Sequence, residues 1–456
     1  MPFFIRKKDG KLKGEKRKQV SKSVKGSKKL AKNPEKLRDL DENISSEEES
    51  SEQELHVSDP SSDEETEQEK KLRLTKKYLQ QIENEESEKN LLDTKEAVAQ
   101  RLKDEALEEA GQLQKQRASE YEGVTPEVHC IFRGHNLSIT CLVISASEKH
   151  LYTASKDCSI IKWSLEEKKR LKTILGGKKV AKASDYVHTD HVLALAISED
   201  DKFLASGCRS KIINIWNPET MEHIKTFRGH KDAITGLAFQ QGSHQLLSAS
   251  NDRSIKLWNL DEMGYVETLF GHQDAITGID CFFGETALTA GGRDNTVRIW
   301  KIVEESQLVF QAHGASIDCV CVSSHQRFVS GSDDGCLLLW GIHKKKPLSK
   351  VTEAHGLDSE TEEPNWIVSL CALKNTDLVA SGSRDGFIKL WRRDDEKNQL
   401  LPVTRVPVDG FVNTLQFSTS GKFLIAGIGY EHRLGRWWRL KNCKNSIVVY
   451  SWCNKS

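Results

Sequence analysis

Long hydrophobic runs are missing from this sequence. The longest apolar stretch near the start is Phe3, Phe4 and Ile5, far short of a signal-peptide core, and nothing approaches the roughly twenty apolar residues of a membrane-spanning helix. The eleven cysteines form no C-x-x-C pair. Their nearest approach, Cys319 with Cys321, falls in an apolar run that a strand would turn to one face, where buried small hydrophobes are expected over metal ligands. Also absent are G-x-x-x-x-G-K-[ST], H-E-x-x-H, G-x-S-x-G and a Gly-rich dinucleotide fingerprint after a strand. With no such motif to hold a phosphate, a metal or a nucleophile, the expectation is a soluble intracellular protein that is not an enzyme, with reduced thiols, no metal, no cofactor and no small-molecule substrate. An excess of one charge is lacking too, since 67 Lys and Arg balance 67 Asp and Glu.

The charge is, however, unevenly spread. Residues 1–39 carry fifteen basic residues against four acids, and residues 40–69 carry thirteen acids with no Lys or Arg. Few large apolar side chains accompany them, so residues 1–69 are expected to be a disordered tail, basic then acidic. Lys16, Arg17 and Lys18 suit nuclear import or nonspecific RNA attraction. Ser45, Ser46, Ser51, Ser61 and Ser62 each have Glu three residues on, a pattern for acidophilic kinases whose phosphates would deepen the acidic block. Residues 70–124 are rich in strong helix formers, with Leu72, Leu79 and Ile82 at helical spacing. They predict one or two charged amphipathic helices, either solvated or partner-binding.

From residue 125 to 456 the sequence repeats itself. Trp163, Trp216, Trp258, Trp300, Trp340, Trp391 and Trp437 close short β-rich runs at spacings of 53, 42, 42, 40, 51 and 46. Gly-His pairs precede several, and an Asp stands six residues before the Trp in five repeats. A four-stranded blade accounts for this spacing: a buried His ahead of the first strand, a hydroxyl in the second, an Asp in the turn and Trp in the third, hydrogen-bonded as one chain. The full set is expected in blade 1 (His135, Thr153, Asp157, Trp163), blade 3 (His230, Ser248, Asp252, Trp258), blade 5 (His313, Ser330, Asp334, Trp340) and blade 6 (His355, Ser381, Asp385, Trp391). Blade 4 has Ala290 at the hydroxyl position, blade 2 has His191 but Ser210 for the Asp, and blade 7 has Glu431 and no His, so these three are expected to rely on packing. Residues 128–132 and 446–451 compete for the outer strand of blade 7.

The chain thus resembles the WD-repeat family, which implies an all-β, seven-bladed β-propeller. In such a ring the turns between second and third strands open on the face of the His-bearing loops. That places Lys156, Arg209, Arg253, Arg293 and Arg384 around the channel mouth, a ring of cations suited to a phosphate backbone. A second cluster is Arg433, Arg436, Trp437, Trp438 and Arg439. Trp437 falls at the repeat position and is expected in the core, with Trp438 on the opposite face, either stacking on an unpaired base or packing on an adjacent blade. Lys168, Lys169, Arg170, Lys172, Lys178, Lys179 and Lys182 form a third basic segment.

Several stretches resemble one branch of that family more closely: EKKLRLTKKYL (69–79), HNLSITC (135–141), KDCSIIKWS (156–164), VETLFGHQDAI (266–276), AGGRDNTVRIWKIVEESQLVF (290–310) and EHRLGRWWRLK (431–441). The branch is that of the WD-repeat components of the U-three small nucleolar ribonucleoprotein. The resemblance implies a non-enzymatic protein of the nucleus and nucleolus. It would bind box B/C of the U-three small nucleolar RNA beside a kink-turn-binding protein and other proteins of the small-subunit processome, in ribosomal RNA processing. A nuclear adaptor reading acidic or modified peptides, in a chromatin or ubiquitin-ligase complex, is the alternative from another class.

Overall fold

A computed structural model describes residues 67–89, 94–109, 113–177, 186–282, 284–312, 314–358, 362–440 and 443–452. Residues 1–66 of the basic-acidic tail, the five candidate phosphoserines, His313, Lys178, Lys179 and Lys182 lie outside the described residues, and the last three tail residues, 67–69, are helical instead of disordered. The chain divides into two compact units, Met1–Lys76 and Lys77–Ser456. In the first, the described residues open helix α1 (Glu67–Lys89), with Leu72 and Leu74 exposed. The second contains the remainder of α1, helix α2 (Thr94–Glu109) and seven four-stranded antiparallel sheets. Tyr78 of α1 donates its phenol to Glu105 of α2 at 2.5 Å.

Each sheet is one blade, read from the channel outward. Blade 1 runs Ile139–Ile144, His150–Ser155, Ile160–Ser164 and Lys169–Ile174. Blades 2 to 6 repeat the order, ending with Gln399–Pro407. The two middle strands are largely buried on both faces: Leu, Ala, Ser and Gly dominate the second, and Ile, Leu, Val and one Trp the third, around a single Lys, Asn or Arg. Between second and third strands, the residue five before the Trp adopts a left-handed backbone in six blades: Cys158, Lys211, Arg253, Asn295, Gly335 and Gly386. In blades 3, 4 and 6 it follows the turn Asp, which lies within 3.0 Å of its His.

Neighbouring blades are joined by a hydrogen bond that recurs around the ring. Near the start of the innermost strand a side chain reaches the backbone carbonyl of the next blade: Thr140 to Val192 at 2.5 Å, Thr235 to Ile276 at 2.5 Å, Thr277 to Ile317 at 2.6 Å and Ser369 to Val412 at 2.9 Å. Cys319 does the same to Ile367 through its thiol at 3.4 Å. Cys319 and Cys321 are both buried among apolar side chains of blades 5 and 6.

The predicted chain of hydrogen bonds is present with more members than expected. In blade 3, His230 Nδ1 lies 3.0 Å from Asp252 and Nε2 lies 2.7 Å from Ser248, which accepts the Trp258 indole N–H at 2.9 Å. Blade 1 (His135, Thr153, Trp163) and blade 6 (His355, Asp385, Ser381, Trp391) follow suit, although His135 Nδ1 meets Ser159 at 3.0 Å and Asp157 only at 3.5 Å. In blade 5, Ser330 accepts from Trp340 at 2.9 Å. Two expectations are corrected. Blade 4 does not lack the hydroxyl: Thr289, one residue before Ala290, accepts from Trp300 at 2.8 Å and meets His272 at 2.8 Å, and His272 meets Asp294 at 2.7 Å. Its turn is one residue longer, and Gly291 makes room for it, since a Cβ there would sit 2.1 Å from Asp294. Blade 2 uses His188 rather than His191: His188 meets Ser206 at 2.7 Å, and Ser206 accepts from Trp216 at 2.7 Å.

The Gly of the Gly-His pair has a steric cause. A Cβ at Gly271 would lie 2.9 Å from the Trp300 ring and 2.6 Å from Arg298 Nη1, so the chain can cross the ring only without a side chain.

Blade 7 departs most from expectation. Its order is Phe411–Phe417, Phe423–Gly429, Ser446–Ser451 and then Glu127–Phe132 outermost, so the two candidate closing strands are both used and pair with each other. Trp437 is therefore not a core residue. Tyr450, opposite Leu424 as Trp163 is opposite Leu151, takes that place and is buried. Residues 430–445 are an insertion between the second and third strands, on the face of the His-bearing loops. Below the opposite face, a strap leading into the ring is tied down where Asp377 accepts from the backbone of Arg117 and Ala118 at 2.8 and 3.0 Å, and Tyr121 donates to Gly421 at 2.7 Å.

Candidate nucleic-acid interface

The insertion of blade 7 forms a loop across the channel mouth. Its base is closed by Leu440 N–H to Tyr430 C=O at 2.9 Å. Its anchor is Lys156, which the sequence places among surface cations but which is buried, with 4% of its side chain exposed. The ammonium donates to Glu431 Oε1 at 3.1 Å and to the carbonyls of His432 at 2.5 Å and Gly435 at 3.1 Å. All three of its protons are thereby used, which excludes Lys156 as a phosphate ligand. Burial holds this ammonium below the usual lysine range, against the pull of Glu431. Burial also brings the adjacent His432 imidazole down to about 3, helped by the charges of Arg433 and Lys156, so the ring is neutral.

Arg384 is likewise occupied. It donates to Asn365 at 2.9 Å, pairs with Asp358 at 2.8 Å and lies 4.2 Å from the centre of the Trp438 ring. Trp438 also packs edge-on against Trp366 at 4.7 Å. The sequence left Trp438 open between stacking on a base and packing on a neighbour; it packs on blade 6, and its role is to fasten the loop. Trp437 is the exposed ring, at 56%. It lies over Gly435, where a Cβ would come within 1.7 Å of the indole.

The remaining cations divide into two groups. Arg209, Arg253 and Arg293 are exposed, and among the described residues none makes an ion pair. Arg436 is exposed at 72% of its side chain, with Nε 3.6 Å from Glu431, and Arg439 is exposed with its guanidinium 5.2 Å from the Tyr430 ring. Arg433 instead turns down into the channel, donating to the Asp318 carbonyl at 3.3 Å, while its Nε is buried without a partner. Beneath it lies a cavity of about 240 Å³ lined by residues of blades 2 to 5 together with Arg433 and Leu434. Arg209 and Asn251, each seven residues before its blade's Trp, line it; Arg253 is at the left-handed position five before. Burial pushes the Asp318 carboxyl up to about 6 despite the nearby Arg433 guanidinium.

Sequence reasoning missed Trp366, Asp318 and the clamping role of Glu431. Gly435 inside the run 431–439 was the available signal, because a glycine in the middle of a supposed strand marks a break in it.

Six segments of the chain, residues 126–164, 182–217, 221–259, 264–301, 304–341 and 354–392, match the family described as WD domain, G-beta repeat. The chain belongs to the WD-repeat family. This WD-repeat protein is 54% identical over 390 residues to a mouse protein named U3 small nucleolar RNA-interacting protein 2, spanning 85% of this chain and 82% of the relative. Two solved structures are similar at 51% identity over 72% of this chain and 99% of theirs. They are described as "Structure of U3-55K", with a TM-score of 0.68, and "Crystal structure of RRP9 WD40 repeats", with 0.69. The three inner strands of the seventh blade of this WD-repeat ring, with the mouth loop, lie outside the six matched segments, and its outermost strand, Glu127–Phe132, falls within the first.

Proposed function

We propose that this chain is a non-catalytic component of the U3 small nucleolar ribonucleoprotein. It binds box B/C of the RNA beside a kink-turn-binding protein and scaffolds the small-subunit processome in the nucleolus for maturation of 18S ribosomal RNA. The observation that carries this reading is the mouth loop. A buried Lys156–Glu431 pair and the Trp438–Arg384 stack fix it so that Arg436, Trp437 and Arg439 are presented to solvent. Arg209, Arg253 and Arg293 stand on the same face, and among the described residues their side chains make no ion pair. Arginines beside an exposed indole can meet phosphates and stack on a base. The name of the mouse relative, an RNA-interacting protein, supports RNA over an acidic peptide. No step in this role calls for bond-breaking chemistry.

The test is RNA binding by the full chain with Arg293, Arg436 and Arg439 reversed to Glu. Affinity should fall at least tenfold at physiological salt. The slope of log K against log salt should shrink by about 0.7 to 0.9 for each phosphate that is no longer neutralised, with the melting curve unchanged. Equal RNA recovery by the variant would remove these residues from the interface. Crosslinks confined to residues 1–39 in cells would leave the propeller a peptide-binding adaptor tethered by its tail.

A further inference from the structure

The channel cavity contains two groups of opposite charge that do not satisfy each other. Arg433 reaches the Asp318 carbonyl but makes no ion pair with its carboxylate, and its own Nε is buried and unpartnered. Leaving the buried Arg433 Nε unmet costs free energy unless something enters the cavity beside it, where the Asp318 carboxyl, held by Ser316, also lines the wall. A partner's Lys or Arg would meet the Arg433 guanidinium, and an acidic side chain would meet Asp318, so a charged occupant is repelled from one side in either case. What fits is a neutral group offering donors to the carboxylate and an acceptor to the guanidinium. Among the bases, only the Watson–Crick edge of guanine presents two adjacent donors, N1–H and N2–H, with an acceptor, O6, beside them; arginine is a common partner of that oxygen.

Size and wall chemistry agree. A single water needs about 10 to 15 Å³ on the same measure, so a cavity of about 240 Å³ admits a group of many heavy atoms. Leu193, Ala233 and Leu434 supply apolar wall for the faces of a ring, and Leu434 and Arg209 are exposed at the rim. Arg209 is thus placed to take the phosphate of a nucleotide whose base has turned inward.

We propose that this cavity takes one unpaired guanine of the bound RNA, its Watson–Crick edge against Asp318 and Arg433 and its phosphate at Arg209. The inference rests on the RNA reading above and adds the base that is read. The probe is box B/C RNA in which each unpaired guanine is replaced in turn by inosine, which lacks the N2 amino donor, titrated with the full chain. One position should lose about tenfold in affinity. The Asp318→Asn variant should lose a similar factor on unmodified RNA and be indifferent to inosine at that position, and Arg433→Met should lose affinity as well. Additive losses, or no sensitive position, would overturn the proposal. If the Arg293, Arg436 and Arg439 reversals still weaken binding in that case, the RNA reading survives and only the cavity assignment fails. If the reversals also leave binding unchanged, those arginines leave the interface as well, and crosslinks confined to residues 1–39 would then end the RNA reading of the propeller. Tight seating of an Asn or Gln side chain from a processome protein, with RNA binding indifferent to inosine, would also overturn the proposal and assign the cavity to a protein.

Discussion

Replacing Lys156 with Met would leave Glu431 with its carboxylate buried, 2% exposed, and its ammonium gone. Removing one partner of a buried pair costs about 3 to 5 kcal/mol when the other charge cannot escape. Here it can escape, because Glu431 sits in a loop and not in a strand. Arg436 Nε at 3.6 Å is too exposed to replace the ammonium. Opening the loop forfeits the Trp438–Arg384 stack, the Arg433 bond to Asp318 and the Asn413 bond to Glu431 C=O at 3.1 Å. At about 1 kcal/mol net for each of these, undocking costs about 3 kcal/mol, no more than keeping the charge buried. The expected outcome is therefore local release. Trypsin should cut after Arg433, Arg436 and Arg439 at least tenfold faster than in the parent. The melting temperature should fall by less than about 6 °C, taking about 2 °C per kcal/mol for a domain of this size. The double variant Lys156→Met with Glu431→Leu, which removes both charges, should regain part of the protection. Unchanged cleavage together with an unchanged melting curve in the single variant would refute the clamp.

The hydrogen-bonded chains within the blades give two further expectations. Thr289→Val should destabilise the domain by about 1 to 3 kcal/mol in urea, because His272 and Trp300 both lose their oxygen; an unchanged midpoint would mean that blade 4 stands on packing. Burial alone would raise the carboxyls of Asp157 and Asp294, but hydrogen bonds, first from His135 and His272, outweigh it and bring both down to about 2. Their contribution is complete above the unfolded value of about 3.9 and is lost as pH falls toward 2. Stability should thus drop across that window, with a shallower drop in Asp294→Asn, and identical pH profiles for parent and variant would exclude Asp294 as a source.

The ring itself was legible because the repeat is enforced by interactions within single blades. His, hydroxyl, Asp and Trp lie at near-constant separations, and those separations survive in the sequence. They failed where a loop changed length. In blade 2 the distance of 18 from His188 to Ser206 matches that from His135 to Thr153 and from His230 to Ser248, and this count singles out His188 over His191. In blade 4 the extra turn residue shifts the hydroxyl to Thr289. In blade 7 the 430–445 insertion carries a Trp at the repeat spacing by coincidence, while the true position is held by Tyr450. The site was less legible for a different reason. Lys156 looks like any turn cation until its acid, 275 residues away, is brought beside it by ring closure. No local pattern encodes such a pair, and the same is true of Asp318 beneath Arg433.

Blade 7 also sets an order of events during synthesis. Its outermost strand, Glu127–Phe132, is the first strand of the ring to leave the ribosome, and its only partner in the sheet is Ser446–Ser451, the last. Until Ser451 emerges, that first strand has no edge to join and six blades wait with an open seam. Unpaired edges of this kind invite pairing with other chains. The nascent protein therefore has most need of chaperone protection late in translation, after nearly all of its core residues already exist.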